Sequence, residues 1–166
     1  AVDGKVETAW VEGVEGDGVG EYIIFDLNIA TIPTYEDFSE NQNKYLEFEI
    51  NIINGVAKNK KIFKLNNRIK VAILEIYEAE VNIRQFDPWI RSEQEPIINS
   101  SFELHLRDTM EQQKFKVKIR PKQKPIYGSI SSFSCIGKLV IKEIYPGEKY
   151  RDTGISEIKV IHLDED

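Results

Sequence analysis

Apolar and polar residues alternate in several short windows of this 166-residue chain. The pattern is plainest in Glu47–Ile52, Ser101–Leu106 and Lys114–Arg120, because successive side chains of a strand point to opposite faces of a sheet. Composition agrees with this pattern. The chain has 24 Ile and 11 Val but 8 Leu and 6 Ala, and β-branched residues favour strands over helices. The sequence therefore predicts an all-β protein with half-buried strands.

Four denser apolar windows predict further strands nearer the centre of the fold, namely Tyr22–Leu27, Ile69–Ile76, Leu139–Tyr145 and Glu157–Ile161. Turn-forming residues such as Asn54-Gly55 and Pro146-Gly147 separate the windows. No helix-length amphipathic segment lies between them. We therefore expect seven strands, and up to nine, in a jelly-roll β-sandwich of antiparallel strands. Residues 1–166 are predicted to form one domain with long loops near 31–44 and 84–101.

The charge balance excludes one class of partner. The chain has 22 Lys and Arg against 28 Asp and Glu, a net charge of −6, which argues against a nucleic-acid platform that relies on bulk positive potential. No apolar run approaches the roughly 20 residues of a membrane-spanning helix, and no signal-peptide pattern is present. We expect no nucleic-acid partner and no transmembrane segment.

Residues suited to catalysis are few. Cys135 is the one cysteine, so the chain can form neither an internal disulfide nor a cysteine-based zinc cage. His105 and His162 both fall in strand-like windows with no metal-ligand spacing. We therefore expect that the domain is not an enzyme.

Basic residues occupy every second position from Lys114 to Lys124. Such a stripe lies on one face of a strand and its extension. A solvated strand face protected against edge pairing is the favoured interpretation. A contact with an anionic glycan or a phospholipid headgroup is the alternative.

The first 21 residues carry a motif of a known family. Asp3-Gly4 followed by Thr8-Ala9-Trp10 resembles the opening of discoidin-like (galactose-binding-like) domains, and the glycine-rich stretch 12–21 resembles their NADase-type glycan-binding branch. Later segments agree with that branch in the same order along the chain: Asn54-Gly55, Lys58-Asn59, Asn66-Asn67-Arg68, Arg107-Asp108-Thr109, Pro146-Gly147 and 152–158.

The resemblance implies a non-catalytic carbohydrate-binding module at a cell surface, secreted or held in the cell envelope. Its ligand would be a glycan or glycoconjugate, gripped by loops at one end of the sandwich. The alternative is a protein-interaction or envelope-structural domain that keeps the scaffold without a sugar site. The family has a strand before the Asp-Gly turn, and this chain starts two residues ahead of that turn, so the first strand is expected to be absent.

Polar and aromatic loop residues are the candidate ligand contacts. Asn and Arg supply the directional donors that sugar hydroxyls and carboxylates need. The candidates are Glu12, Asp17, Asn54, Asn66, Arg68 and Trp89. The alternative is that these side chains tie the loops together, with Arg68 paired to Glu12.

Asp3, Thr8 and Glu157 are the metal-site candidates, because the resemblance implies a structural calcium held in the Asp-Gly loop and closed by a glutamate near the C-terminus. Carboxylate and hydroxyl oxygens suit that ion. The alternative is a turn capped by its own side chains. Trp10 is interpreted as a core residue beneath this turn and, less favourably, as a sugar-stacking platform.

Overall fold

Eight strands and one short helix form the fold of this computed structural model, which describes residues 1–27, 45–82, 97–120 and 131–163. The strands are β1 (Trp10–Val11), β2 (Tyr22–Asp26), β3 (Leu46–Asn54), β4 (Asn67–Asn82), β5 (Ile97–His105), β6 (Gln113–Ile119), β7 (Ser131–Tyr145) and β8 (Thr153–Leu163). Each of the seven predicted strands is present, with β1 in addition.

Two of the predicted boundaries need comment. The loop predicted at 31–44 lies outside the described residues, as does most of the one predicted at 84–101. The end of the second loop was placed wrongly, because residues 97–101 belong to β5 and pair with β4 around a register shift at Ile76/Tyr77. Polar Asn99, Ser100 and Ser101 conceal the strand alternation there.

The helix α1 (Lys60–Leu65) was not predicted. Its six residues are too few for a clear helical periodicity. It begins at Asn59, whose side chain accepts a hydrogen bond from the Ile62 amide at 2.9 Å, a common helix N-cap.

The strands form two antiparallel groups. One has the order β2-β7-β4-β5, and in the other β8 lies between β1 and β3, with β6 beyond β3. At one end of the molecule β4 and β8 run parallel and pair Asn67 with Thr153 and Arg68 with Gly154. This contact joins the groups into one mixed sheet, and it differs from the predicted antiparallel pairing.

The core lies between the two groups. Alternate residues of β3 (Phe48, Ile50 and Ile52) pack in one buried cluster with residues of β4 and β7 such as Leu74 and Leu139. Fully burying a side chain of this kind stabilises the fold by about 1.5–3 kcal/mol. The all-β sandwich predicted from the sequence is therefore confirmed. Trp10 is partly buried against the same cluster, which agrees with its interpretation as a core residue.

Candidate functional site

Four loops meet where β4 and β8 run parallel, and we call this region the loop end. It comprises residues 12–21, 55–66, 106–112 and 146–152. The family-like motifs after Trp10 fall on these loops or at the strand ends beside them. The loop end is the candidate functional site, because sandwich domains bind ligands through end loops carried on a rigid scaffold.

Glu12 fastens the glycine-rich loop 12–21 to the start of β8. Its side chain is buried, with 5% exposed, and its two carboxylate oxygens accept hydrogen bonds from the amides of Thr153 and Val14, both at 3.0 Å. The Thr153 hydroxyl donates to the Asp17 carbonyl at 2.6 Å. Gly18 passes directly over Glu12 with a φ of +74°, and a Cβ there would lie 2.6 Å from Glu12 Cγ. The loop therefore needs glycine at this position.

Asn54 joins the end of β3 to β4. It is fully buried, its Nδ2 donates to the Ile69 carbonyl at 2.7 Å, and its Oδ1 accepts from the amides of Ile69 at 3.0 Å and Gly55 at 2.9 Å. These bonds satisfy three backbone groups that would otherwise be buried without partners.

Arg68 joins three loops. Its guanidinium makes a bidentate contact with Asp108, with Nε–Oδ1 at 2.9 Å and Nη2–Oδ2 at 2.7 Å. Its Nη1 donates to the carbonyls of Asn66 at 3.0 Å and Pro146 at 2.9 Å. The interpretation that paired Arg68 with Glu12 is wrong, because the carboxylate partner is Asp108. Two parallel N–H···O bonds are the preferred geometry for an Arg–carboxylate pair.

The other ligand candidates differ in exposure. Asn66 is partly buried and donates from Nδ2 to the Ile62 carbonyl at 2.8 Å, at the end of α1. Asp17 is exposed, and its Oδ1 accepts from the Val19 amide at 3.1 Å. Trp89 lies outside the described residues. The structure thus brings the other five candidates to the loop end, and their contact with a ligand stays a prediction.

Asp3 and Thr8 form a compact turn. The Thr8 hydroxyl lies 2.9 Å from both carboxylate oxygens of Asp3, and the Lys5 amide donates to Oδ1 at 3.1 Å. The Thr8 hydroxyl and the Lys5 amide hold the pKa of Asp3 below its usual value, so this carboxylate stays charged at neutral pH.

Glu157 lies in a groove beside this turn. The groove has a volume of about 580 Å³ and is lined by Val2, Gly4, Ile24, Phe25, Asp26 and residues 157–160. The Glu157 Oε2 atom is buried and has no hydrogen-bond partner among the described residues. A buried carboxylate oxygen without a donor suits a cation. Asp3 and Thr8, however, bond to each other and are not among the residues that line the groove, so a calcium ion held by all three residues stays a prediction. In the described ranges, no three His, Cys, Asp or Glu residues group as a metal cage, so hydroxyl and carbonyl oxygens would have to complete the coordination.

Two of the four described basic residues of the stripe form ion pairs. Lys114 pairs with Glu49 at 2.9 Å and Lys118 with Glu47 at 2.5 Å across the β3–β6 ladder. Lys122 and Lys124 lie outside the described residues. This arrangement agrees with the solvated strand face favoured from the sequence.

The candidates for catalysis do not form a reactive pair. Cys135 is buried, and this burial, with smaller contributions from the charges of Glu78 and Asp26, raises the pKa of its thiol to about 12. His105 is exposed beside Glu103, with Nε2–Oε1 at 2.7 Å. His162 packs edge-on against the ring of Phe48 in the core. A thiol of this kind is not a nucleophile at neutral pH.

The predicted site residues did not include a group of lysines on and just before α1. Lys58, Lys60, Lys61 and Lys64 are all exposed at the loop end. The signal was available, because residues 50–74 contain six basic residues and no acidic one.

Comparison with known proteins gives one match. The family model described as NAD glycohydrolase translocation F5/8 type C domain matches residues 1–161. No curated protein and no solved structure matches the chain. Within the described residues, no helix is long and apolar enough to cross a membrane.

Proposed function

Because the chain belongs to the NAD glycohydrolase translocation F5/8 type C domain family, we propose that it is a non-catalytic binding module for a carbohydrate at a cell surface. Membership confirms the discoidin-like identity expected from the motifs. The family description names translocation and no catalytic step, which is consistent with a domain that is not an enzyme. The inert Cys135 thiol supports the same proposal.

The rigid loop end is the observation that carries this proposal. Glu12, Asn54 and Arg68 are 5%, 0% and 7% exposed and tie the four loops to one another and to the strands. Loops held in this way lose little conformational entropy when they bind a ligand, and this pre-organisation favours affinity. We assign these three residues the role of positioning the loops.

Exposed groups on the same loops are the proposed contacts. Asp17 presents a carboxylate, and Tyr150 is 43% exposed with the Lys149 ammonium 5.0 Å from its ring centre. Carboxylates accept hydrogen bonds from sugar hydroxyls, and an aromatic face suits the apolar face of a pyranose ring.

A matched pair of tyrosines tests the proposal. Tyr150 and Tyr22 are 43% and 48% exposed, and a lysine lies over each ring, but Tyr22 lies on β2, outside the loop end. On an array of neutral and charged glycans, Tyr150→Ala is expected to weaken the strongest signal about tenfold, equal to an aromatic contact of about 1.4 kcal/mol. Tyr22→Ala should leave that signal unchanged. Equal losses in the two variants, or no glycan bound by the unmodified protein, would contradict the proposal.

A protein partner is the second candidate function. Val2 and Ile24, at 62% and 57% exposed, border the groove beside Glu157, and exposed apolar side chains around a groove are typical of protein contacts. In this case partner binding would depend on Ile24 and not on Tyr150.

The family also suggests an exported protein, and we propose that this one lies outside the cell or in the cell envelope.

Calcium is proposed as a structural ion at Asp3, Thr8 and Glu157. When bound, it would supply a positive charge that links the Asp-Gly turn to β8. At 100 times its dissociation constant, calcium would add about 2.7 kcal/mol of stability, which raises the melting temperature of a domain of this size by about 5–10 °C.

Thermal melting with calcium and after chelation measures this shift. Glu157→Gln should abolish it, and Glu15→Gln, a change of the same charge on the exposed glycine-rich loop, should not. The calcium site would be disproved by melting curves that do not respond to calcium, or by a full response in Glu157→Gln.

A further inference from the structure

Positive charge is concentrated in one part of this acidic chain. Residues 50–74 carry six basic and no acidic side chains, whereas the whole chain carries 22 basic and 28 acidic ones. The other 141 residues therefore carry a net charge of −12. Such segregation produces a local field of opposite sign to that of the whole protein.

In the folded protein, most of these basic side chains are exposed to solvent at the loop end. Phe63 is buried beneath α1, so Lys60, Lys61 and Lys64 lie on the exposed side of the helix, with exposed Lys58 just before it. We call these four residues the α1 lysine patch.

Tyr150 lies beside this patch. The Lys64 carbonyl accepts a hydrogen bond from the Glu148 amide at 2.9 Å, and the Leu65 carbonyl accepts from the Tyr150 amide at 2.7 Å. These bonds fix the 146–152 loop against the end of α1. The proposed stacking residue is therefore held next to the C-terminal end of the helix that carries the lysines.

Among the described residues, the lysines of the patch have no acidic partners. Across the ranges that the structure describes, none of the four lies within 4.0 Å of a carboxylate, although Lys70, Lys114, Lys118 and Lys138 elsewhere all do. Exposed Glu148 and Asp152 on the neighbouring loop are balanced by Lys149 and Arg151. Like charges four positions apart on a helix weaken it, as Lys60 and Lys64 do in α1. Helix stability therefore does not explain why so many lysines are gathered here.

We propose that the carbohydrate ligand of the loop end is anionic, with its carboxylate or sulfate groups bound by the α1 lysine patch and a neighbouring sugar ring stacked on Tyr150. This inference rests on the proposed glycan-binding function and adds the chemical class of the ligand. Lysine ammonium groups are compact and mobile donors, which suits the irregularly spaced charges of a flexible oligosaccharide.

Two triple variants of equal charge change test the inference. The first is Lys60→Gln/Lys61→Gln/Lys64→Gln on α1, and the second is Lys114→Gln/Lys116→Gln/Lys118→Gln on β6. The probes are heparin and hyaluronan oligosaccharides, which separate sulfate from carboxylate recognition, with neutral dextran, a single-stranded DNA oligonucleotide and phosphatidylserine vesicles as comparisons. Circular dichroism melting checks that both variants are folded.

We expect the unmodified protein to bind heparin or hyaluronan, and to bind more weakly as salt increases. The α1 triple variant should lose at least about tenfold in affinity. The β6 variant should lose less than about threefold, because it has the same net charge as the α1 variant but keeps the α1 lysine patch. Equal losses in both variants would overturn the inference. Binding of DNA or vesicles that matches glycan binding in strength and lysine dependence would overturn it too.

The outcomes also separate this inference from the function on which it rests. Binding of a neutral glycan that is lost in Tyr150→Ala but kept in the α1 triple variant would refute the anionic ligand and leave the proposed function standing. Binding of no glycan at all would refute both.

Discussion

Asn54→Ala is expected to lower the free energy of unfolding by about 4 kcal/mol, because a buried polar group left without its hydrogen bond costs about 1–3 kcal/mol. The substitution removes the partner of three backbone groups at once, the amides of Gly55 and Ile69 and the Ile69 carbonyl. Ala cannot replace these bonds, and the site is fully buried, so water cannot easily replace them. Urea unfolding followed by circular dichroism measures the difference.

Asn51 provides a matched control in the same strand. It is also buried, at 2% exposed, but its side chain makes no well-formed hydrogen bond in the part of the chain that the structure describes, with only a weak interaction with the Glu49 carboxylate. Asn51→Ala is therefore expected to change the stability by less than about 1 kcal/mol, since it removes an amide that gains little from burial. Equal destabilisation by the two substitutions would show that Asn54 does not act through its hydrogen bonds.

Arg68→Ala is expected to destabilise the fold by about 3 kcal/mol, the lower end of the range for removing one partner of a buried ion pair. The lower end applies because the Asp108 side chain is 39% exposed, so water can solvate the carboxylate that remains. The variant also loses the hydrogen bonds to the carbonyls of Asn66 and Pro146. The loss appears as a lower denaturation midpoint in urea.

Two further variants show whether geometry or charge accounts for this effect. Arg68→Lys keeps the charge but cannot form the bidentate contact, so it should recover less than half of the lost stability. Lys118→Ala removes an exposed ion pair with Glu47 and should cost less than about 1 kcal/mol. A cost for Arg68→Ala no greater than that for Lys118→Ala would mean that Arg68 does not hold the loops together.

Strand positions could be predicted from the sequence because each depends on neighbouring residues alone. The alternation in Glu47–Ile52 directly reports the two faces of β3, with Phe48, Ile50 and Ile52 buried. The start of β5 could not be predicted in this way, because its first residues are mostly polar and pair with β4 across a register shift. The helix α1 could not be predicted, because its six residues are too few to show a helical periodicity.

The roles of the loop residues could be predicted only in part. Sequence reasoning brought Asn54 and Arg68 to the same end of the sandwich, and that location is correct. It could not supply their partners, because Asn54 bonds to a residue 15 positions away and Arg68 to one 40 positions away. Such partners depend on how the strands are ordered, and neither composition nor periodicity records that order. The charge segregation behind the α1 lysine patch, by contrast, is visible in the sequence itself.

The short parallel contact between β4 and β8 has a consequence for ligand screening. It joins the two strand groups at the same place where the loops are fastened, so the loops cannot separate locally without opening the junction of the whole domain. A ligand held by these loops would therefore stabilise the folded state as a whole. Thermal-shift screening can then detect the natural ligand without a label, a known partner or an activity assay.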